Sequence, residues 1–320
     1  MLDTQGRLIR VPSRRAALGL ALGTALAACA PRGTAGILRV ADQRGGLRSL
    51  LIAAGEIGTP YSITWSQFPN AAPLIEALNA NAVDTGVTGD APFSFALASA
   101  PPIKAIGAFR SPPGVNSILV LRASQLRTVR DLVGKRIATP HGSNGQFLTL
   151  TALKSAGLPL DSVRFAFMSP SDGKAALTSG AVDGWAIWEP YTSLGVLEDG
   201  LSILDLSGVV VPGLSLLLAT DSAIAAKRAA LSDLILRLGR ARAWARSNPA
   251  AYADVFAHET GMPEPVVERF ISRSLTHGVP LDGHVIAEEQ SIADLFFAAG
   301  VTGRRVAVTS AFDTSFSRSG

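Results

Sequence analysis

One stretch occurs twice in this chain, and the repetition restricts the fold more than any other feature of the sequence. In residues 63–92, alternating side chains over 63–67 predict a strand, and Asn70 predicts the N-cap of a helix whose apolar face is Leu74, Ile75 and Leu78. Asn81 and the turn Ala82-Val83-Asp84 end that helix, residues 85–88 predict a second strand, and Gly89-Asp90-Ala91-Pro92 marks the start of a further helix. Glycine lets a ligand approach the backbone, and proline in a first helical turn forfeits no hydrogen bond. Residues 169–190 repeat the pattern, with Ala176-Leu177, Ala181-Val182-Asp183 and Trp188-Glu189-Pro190 in place of Ala77-Leu78, Ala82-Val83-Asp84 and Gly89-Asp90-Ala91-Pro92. Ala-Leu precedes Ala-Val-Asp by the same interval in both copies, and a second acid follows that Asp by the same interval. The repeat predicts two similar α/β lobes, each presenting a strand-end loop with an acid and a proline to a shared cleft.

A chain of 320 residues can build a large core and is expected to form two domains. Its formal charge of +4 owes +3 to the first 28 residues, where Arg7, Arg10, Arg14 and Arg15 face Asp3 alone, and the +1 that remains argues against a nucleic-acid partner. Residues 12–29 combine a basic start, an apolar run too short for a membrane span, and small residues before a cysteine, so residues 1–28 read as a signal peptide and 29–35 as a tether. Ser13-Arg14-Arg15-Ala16-Ala17-Leu18 resembles a twin-arginine export motif, with Ala17 where an aromatic is usual and Sec export as the alternative. Leu26-Ala27-Ala28-Cys29 resembles a lipobox, whose cysteine becomes the lipidated first residue. Because Cys29 is the only cysteine, an intrachain disulfide and a CxxC metal or redox site are excluded, and membrane anchoring is its expected use.

The segments FPNAAPLIEALNANAVDTGVTGDAP, GLPLDSVRFAFMSPSDGKAALTSGAVDGWAIWEPY and HVIAEEQSIADLFFAAG, in that order, closely resemble the aliphatic sulfonate and taurine-type substrate-binding proteins of ABC importers. The resemblance covers nearly everything after residue 37. It implies an α/β, two-lobed periplasmic-binding-protein type II fold with a two-segment hinge: residues 36–117 and 219–320 in one lobe, 118–218 in the other. It further implies capture of a small anionic sulfonate outside the cytoplasmic membrane, delivery to ABC permease subunits, and action as a monomer. Relatives that carry nitrate or thiamine and pyrimidine precursors define the alternative ligands. No cofactor, metal or catalytic residue is expected.

Two helix starts are candidate anion sites, since free amides and the helix dipole favour negative charge there. The first is the loop Asp42-Gln43-Arg44-Gly45-Gly46, where Gln43 and Arg44 are candidate ligand residues and Arg44 supplies a forked donor for sulfonate oxygens. The resembled family carries an aromatic at about the position of Asp42. The second is His141-Gly142-Ser143-Asn144-Gly145, where the Gly142 backbone, the Ser143 hydroxyl and the Asn144 amide are candidates, with helix capping as the competing use. Gly89 admits the ligand to the backbone, and Arg110, in the loop 109–114, is a further candidate for the anion. Of the two tryptophans in Gly184-Trp185-Ala186-Ile187-Trp188, one is expected in the core and Trp188 against the cleft. Asp90 and Glu189 would repel a sulfonate directly; their open roles are capping the next helix, pairing with arginines across the cleft, or holding a ligand ammonium.

Residues 117–121 and 214–220 are expected to be the two crossings between lobes. Beyond Thr220 the chain reads as helical, with Asp221 or Ser222 capping residues 223–230, and Leu231, Leu234, Ile235 and Leu238 on an apolar face. Arg237, Arg240, Arg242 and Arg246 are expected mainly on other, solvated faces. A rival of another class is a serine hydrolase, since residues 141–145 nearly spell the nucleophile elbow G-x-S-x-G around Ser143, with His141 at the first glycine position. It needs a histidine and an acid at Ser143, and His258, His277 and His284 lie in the helical tail without a paired motif.

Overall fold

The computed structural model describes residues 36–318. The signal peptide 1–28, the tether 29–35 and Cys29 lie outside the described residues. From the amino end run β1 (Leu38–Gln43), α1 (Gly46–Ala53), β2 (Ile63–Phe68), α2 (Ala71–Asn79), β3 (Thr85–Gly89), α3 (Asp90–Ala96) and β4 (Ile103–Arg110). The middle of the chain holds β5 (Asn116–Val120), β6 (Arg136–Thr139), α4 (Asn144–Ser155), β7 (Arg164–Phe167), α5 (Pro170–Thr178), β8 (Gly184–Trp188), α6 (Tyr191–Leu197) and β9 (Ser202–Ile203). It closes with β10 (Leu214–Thr220), α7 (Asp221–Ala226), α8 (Arg228–Ser247), α9 (Pro249–Thr260), α10 (Glu264–Ser274), β11 (His277–Val279) and α11 (Gly283–Ala298).

The strands form two sheets, ordered β11-β4-β10-β3-β1-β2 and β7-β6-β8-β5-β9. In the first, β1 lies parallel between β2 and β3, and β10 runs antiparallel beside β3; in the second, β6 lies parallel between β7 and β8, and β5 runs antiparallel beside β8. The two sheets therefore repeat one topology. The doubled sequence pattern supplies its fastening. Asp84 Oδ2 accepts the Arg39 amide at 2.6 Å, its Oδ1 accepts Arg39 Nε and Nη2 at 3.1 and 2.6 Å, and its own amide returns to the Arg39 carbonyl at 2.8 Å. Asp183 does the same for the Arg136 amide and Nε at 2.8 and 3.2 Å, with the return bond to the Arg136 carbonyl at 2.9 Å. Each Ala-Val-Asp turn thus sets where its strand joins the parallel ladder, and Leu78 and Leu177, from the paired Ala-Leu steps, are fully buried.

Apolar clusters cover both faces of each sheet. On the first sheet, α1, α8, α9 and α10 cover the face of Leu38, Val40, Ile106 and Leu217, so the C-terminal helices return to the first lobe. A fifth cluster joins the halves: Ala91 of α3, Phe147 and Leu150 of α4, and Ile292, Leu295 and Phe296 of α11.

Several boundaries differ from the sequence reading. β5 belongs whole to the second sheet and β10 whole to the first, so divisions at 117/118 and 218/219 fall inside or beside strands; residues 111–115 and 206–213 make the crossings, linked by the Ser111 amide to the Gly213 carbonyl at 2.9 Å. An apolar strand pattern reports burial, not which sheet supplies the neighbours. Asp42 and Gln43 complete β1, and Phe109 and Arg110 complete β4. Thr220, rather than Asp221 or Ser222, caps α7 through the Ala223 amide, and that helix stops at Ala226.

The two fastenings differ in environment. Asp84 is buried and also takes Lys227 Nζ at 2.6 Å; burial pushes its pKa up, but bonds from Arg39 and Lys227 outweigh that and the net shift is downward. Asp183 and Arg136 are more exposed. Asp84→Ala is therefore expected to lower unfolding free energy by about 3 kcal/mol, since it strands two cations and an amide, and Asp183→Ala by about 1 kcal/mol. Urea unfolding of the two variants checks this; equal losses would refute it.

Candidate functional site

β1, β3 and β4 end, and β10 begins, at one edge of the first sheet, and β6 and β8 end at the facing edge of the second. Between these edges lies a cavity of about 500 Å³ lined from both lobes. Gln43, Arg44, Gly89, Gly142, Ser143, Asn144, Trp188 and Glu189 all line it; Asp90 and Arg110 do not.

The first expected anion site is already filled from within. Asp42 Oδ1 accepts the Leu47 amide at 2.9 Å and Oδ2 the Arg48 amide at 3.1 Å, while the Gly45 amide donates to Gln67 Oε1 at 2.9 Å. This departs from the expectation of an anion at the start of α1, because a buried carboxylate holds that place. Burial raises the Asp42 pKa against the pull of these amides. Arg44, at φ 51°, sends its guanidinium across the cleft, where Nη1 donates to the Tyr191 hydroxyl at 3.0 Å and the charge lies 5.2 Å from that ring's centroid. Gln43 Nε2 donates to the Val87 carbonyl at 2.8 Å.

At the second expected site Ser143 caps α4, with Oγ 3.3 Å from the Gln146 amide and 2.9 Å from Thr139 Oγ1. Gln146 Oε1 takes the Gly142 amide at 2.8 Å. Neither Ser143 contact is a histidine. His141 instead packs against the rings of Phe95 and Phe167, and burial lowers its pKa, so the hydrolase arrangement is not assembled at this serine. Asn144 Oδ1 is buried without a partner among the described residues, and Asn144 abuts Gly89 so closely that a methyl there would sit 2.5 Å from its Nδ2. Gly142, at φ +66°, likewise leaves room for the Phe95 ring, which an added methyl would meet at 2.3 Å. Both glycines are points where one lobe touches the other.

The acids divide by environment. Asp90 lies behind the cleft, accepting the Ala91 and Leu214 amides, each at 2.9 Å, and so ties α3 to the first residue of β10. Burial pushes its pKa up to about 6, against the effect of those amides, with Glu288 adding to the rise. Glu189 accepts the Ser193 amide at 3.0 Å, capping α6, and its Oε1 takes Arg273 Nε at 2.8 Å from α10. It thus caps and pairs across the lobes at once. Arg110 is turned to Glu288, with contacts of 3.0 and 2.7 Å, and to the Pro212 carbonyl, which keeps it out of the cavity wall. Trp185 is fully buried and Trp188 lines the cavity, following their opposite directions in β8.

Among the cavity residues that the sequence reading did not place at the site, two are polar groups from the C-terminal helices. Arg242 and Tyr252, from α8 and α9, face the cavity rather than solvent. The signal was available for Arg242: continuing the stripe Leu231, Leu234, Leu238 by helical steps reaches Ala241, Arg242 and Ala245, and Ala241 and Ala245 are buried. The other arginines of that stretch have protein partners, Arg237 with Asp233 and Glu56, Arg240 with Glu56, and Arg246 with the Thr276 carbonyl.

Two α/β lobes of shared topology, joined by two crossing segments around an enclosed cleft, define a periplasmic-binding-protein fold. Solved proteins have the same form. The periplasmic aliphatic sulphonate binding protein SsuA from Escherichia coli matches at TM-score 0.77 and 30% identity over 86% of this chain and 91% of that one. The alkanesulfonate-binding protein SsuA from Xanthomonas axonopodis pv. citri, bound to MOPS, matches at TM-score 0.78 and 31% identity over 87% and 98%. The taurine-binding periplasmic protein of Escherichia coli (strain K12) is 30% identical over 144 residues, 45% of this chain and 44% of that one. The family model described as NMT1/THI5 like matches residues 65–252, and the chain belongs to that family.

Two measurements test this charge layout. Because the folded-state pKa of Asp90 is raised, its contribution to stability is fully present below pH 4 and is lost as pH rises through about 6. Relative to Asp90→Asn, which cannot ionise, the native protein is expected to lose on the order of 3 kcal/mol between pH 4 and 7; parallel pH profiles would contradict this. Arg273→Ala leaves Glu189 buried and unpaired and is expected to cost about 3 kcal/mol in urea unfolding, with Arg273→Ala plus Glu189→Gln recovering more than half. A double variant no more stable than the single one would show that the ion pair is not what holds α10 to the second lobe.

Proposed function

We propose that this protein is the extracytoplasmic solute-binding component of an ABC importer and that it closes on a small organic sulfonate in the cleft. The observation that carries the ligand class is the cavity's charge state. Its buried acids, Asp42 and Glu189, are already paired with amides and with Arg273, whereas Arg242 enters the cavity with no hydrogen-bond partner among the described residues. Arg44 meets only the neutral Tyr191 hydroxyl, so the pocket carries two cations that no carboxylate neutralises among the described residues, and with a helix start it favours an anion. The sulfonate-binding relatives, one of them bound to MOPS, itself an organic sulfonate, support the same class.

Gln43 and Arg44 from the first lobe and Ser143, Asn144 and Trp188 from the second would touch the ligand together. Contacts to both lobes favour the closed form only through what the open form lacks. Delivery to permease subunits and anchoring through a lipid on Cys29 belong to the same reading. An ammonium group would find no free buried acid, since the remaining carboxylate at the cavity, Glu76, is exposed. Alkanesulfonates are therefore expected to bind more tightly than taurine, and nitrate fills little of a cavity of about 500 Å³.

Calorimetry of residues 36–320 in Tris chloride, with hexanesulfonate, taurine, nitrate and a hydroxymethylpyrimidine, tests the assignment. Hexanesulfonate is expected to bind with a Kd in the micromolar range, near 8 kcal/mol of binding free energy, and at a hundredfold excess over Kd to stabilise the fold by about 2.7 kcal/mol. Binding of the pyrimidine or nitrate alone would overturn it.

A further inference from the structure

The cleft contains three sets of anion donors, and they are not equally free. The start of α1 is occupied by Asp42, and Arg44 is held by the Tyr191 hydroxyl. At the start of α4 the Gly142 amide is bonded to Gln146, and Ser143 caps the helix. Arg242 is different. Its guanidinium lies 3.9 Å from the centroid of the Phe109 ring, its Nε is buried without a partner, and none of its nitrogens has a protein hydrogen-bond partner among the described residues. Burial pushes its pKa down to about 10, still charged at neutral pH.

Beside it stands Tyr252, a buried residue whose hydroxyl also has no protein partner among the described residues and whose pKa burial raises, with the Arg242 charge acting against the rise. A guanidinium flat on an aromatic face keeps its N–H edge directed outward, and a neighbouring phenol adds one more donor in the same low-dielectric wall. A cation with no counter-charge in a cavity wall is costly, and an anion that pairs with it offsets that cost. Phe256 packs against the rings of both Tyr252 and Phe270, and all three line the cavity, so this wall is largely apolar.

We propose that the Arg242 guanidinium, with the Tyr252 hydroxyl beside it, is the anchor that binds the sulfonate head group and sets the preference for an anionic ligand. Arg44 and the start of α4 then act on the remainder of the molecule as the second lobe closes. This rests on the reading of the cleft as a sulfonate site.

The test compares hexanesulfonate with its neutral isostere hexanesulfonamide by calorimetry on the native protein, Arg242→Gln, Arg242→Lys and Arg44→Gln, each checked for a native melting transition. The native protein is expected to prefer the sulfonate by about 100-fold, and Arg242→Gln to reduce sulfonate affinity by about 50-fold while leaving sulfonamide affinity nearly unchanged, so that the preference falls to about twofold. Arg242→Lys should retain part of the preference, and Arg44→Gln, which removes a contact to the remainder of the molecule, should weaken sulfonate and sulfonamide by similar factors. A merely structural role for Arg242 would weaken both ligands alike. Native protein that binds hexanesulfonate, with the preference intact in Arg242→Gln, overturns the inference and leaves the sulfonate reading standing. Native protein that binds neither ligand overturns both. Should Arg242→Gln not fold, a crystal structure of the native complex decides: sulfonate oxygens on Arg242 support the assignment, and oxygens on Arg44 or Ser143 with Arg242 untouched refute it.

Discussion

The close approach of the two lobes at the start of α4 is the constraint on which the rest of the molecule depends. Gly89 and Gly142 have no side chains where Asn144 and Phe95 press against them, and the cluster of Ala91, Phe147, Leu150, Ile292 and Phe296 backs that contact with buried apolar area. A Cβ at either glycine would hold the sheet edges apart, and the cavity would become an open groove. The ends of β1, β3 and β8 can share a ligand because these few residues let the edges meet.

Within the space so enclosed, charge compensation decides what each side chain is free to do. Asp42 neutralises the helix start that would otherwise attract an anion, Asp90 is spent on the β10 amide, and Glu189 is divided between the α6 amide and Arg273. Each is an acid near the cleft, yet none offers a free carboxylate to a ligand. Arg44 is held by the Tyr191 hydroxyl, whereas Arg242 has no hydrogen-bond partner among the described residues and reaches the cleft only because the C-terminal helices fold back onto the first sheet. The pairs Arg44 with Tyr191 and Arg273 with Glu189 join the lobes directly, side chain to side chain.

The duplicated Ala-Val-Asp turn shows how one local device takes different weights in two settings. Both copies fix a parallel strand pair through an arginine and its own backbone. Only the first copy is buried and shared with Lys227, from the helical tail, so the first lobe is fastened to its returning segment where the second lobe is not.

The sequence by itself determined the local elements: the Asn70 and Ser143 caps, the alternating strands, the doubled turn that made two like lobes legible, and the opposite directions of Trp185 and Trp188. These follow from short-range geometry, in which periods of 2 and 3.6 and a capping side chain act within a few residues. Only the tertiary structure decided which sheet receives β5 and β10, why Arg110 faces Glu288, and why Arg242 faces the cleft. Those outcomes depend on partners far along the chain, from β8 for β5 to Glu288 for Arg110, and a charged side chain on a helix carries no local mark of what will pack over it. A polar group's role was readable where its partner lay within one turn of chain, and unreadable where the fold had to bring that partner from the other end.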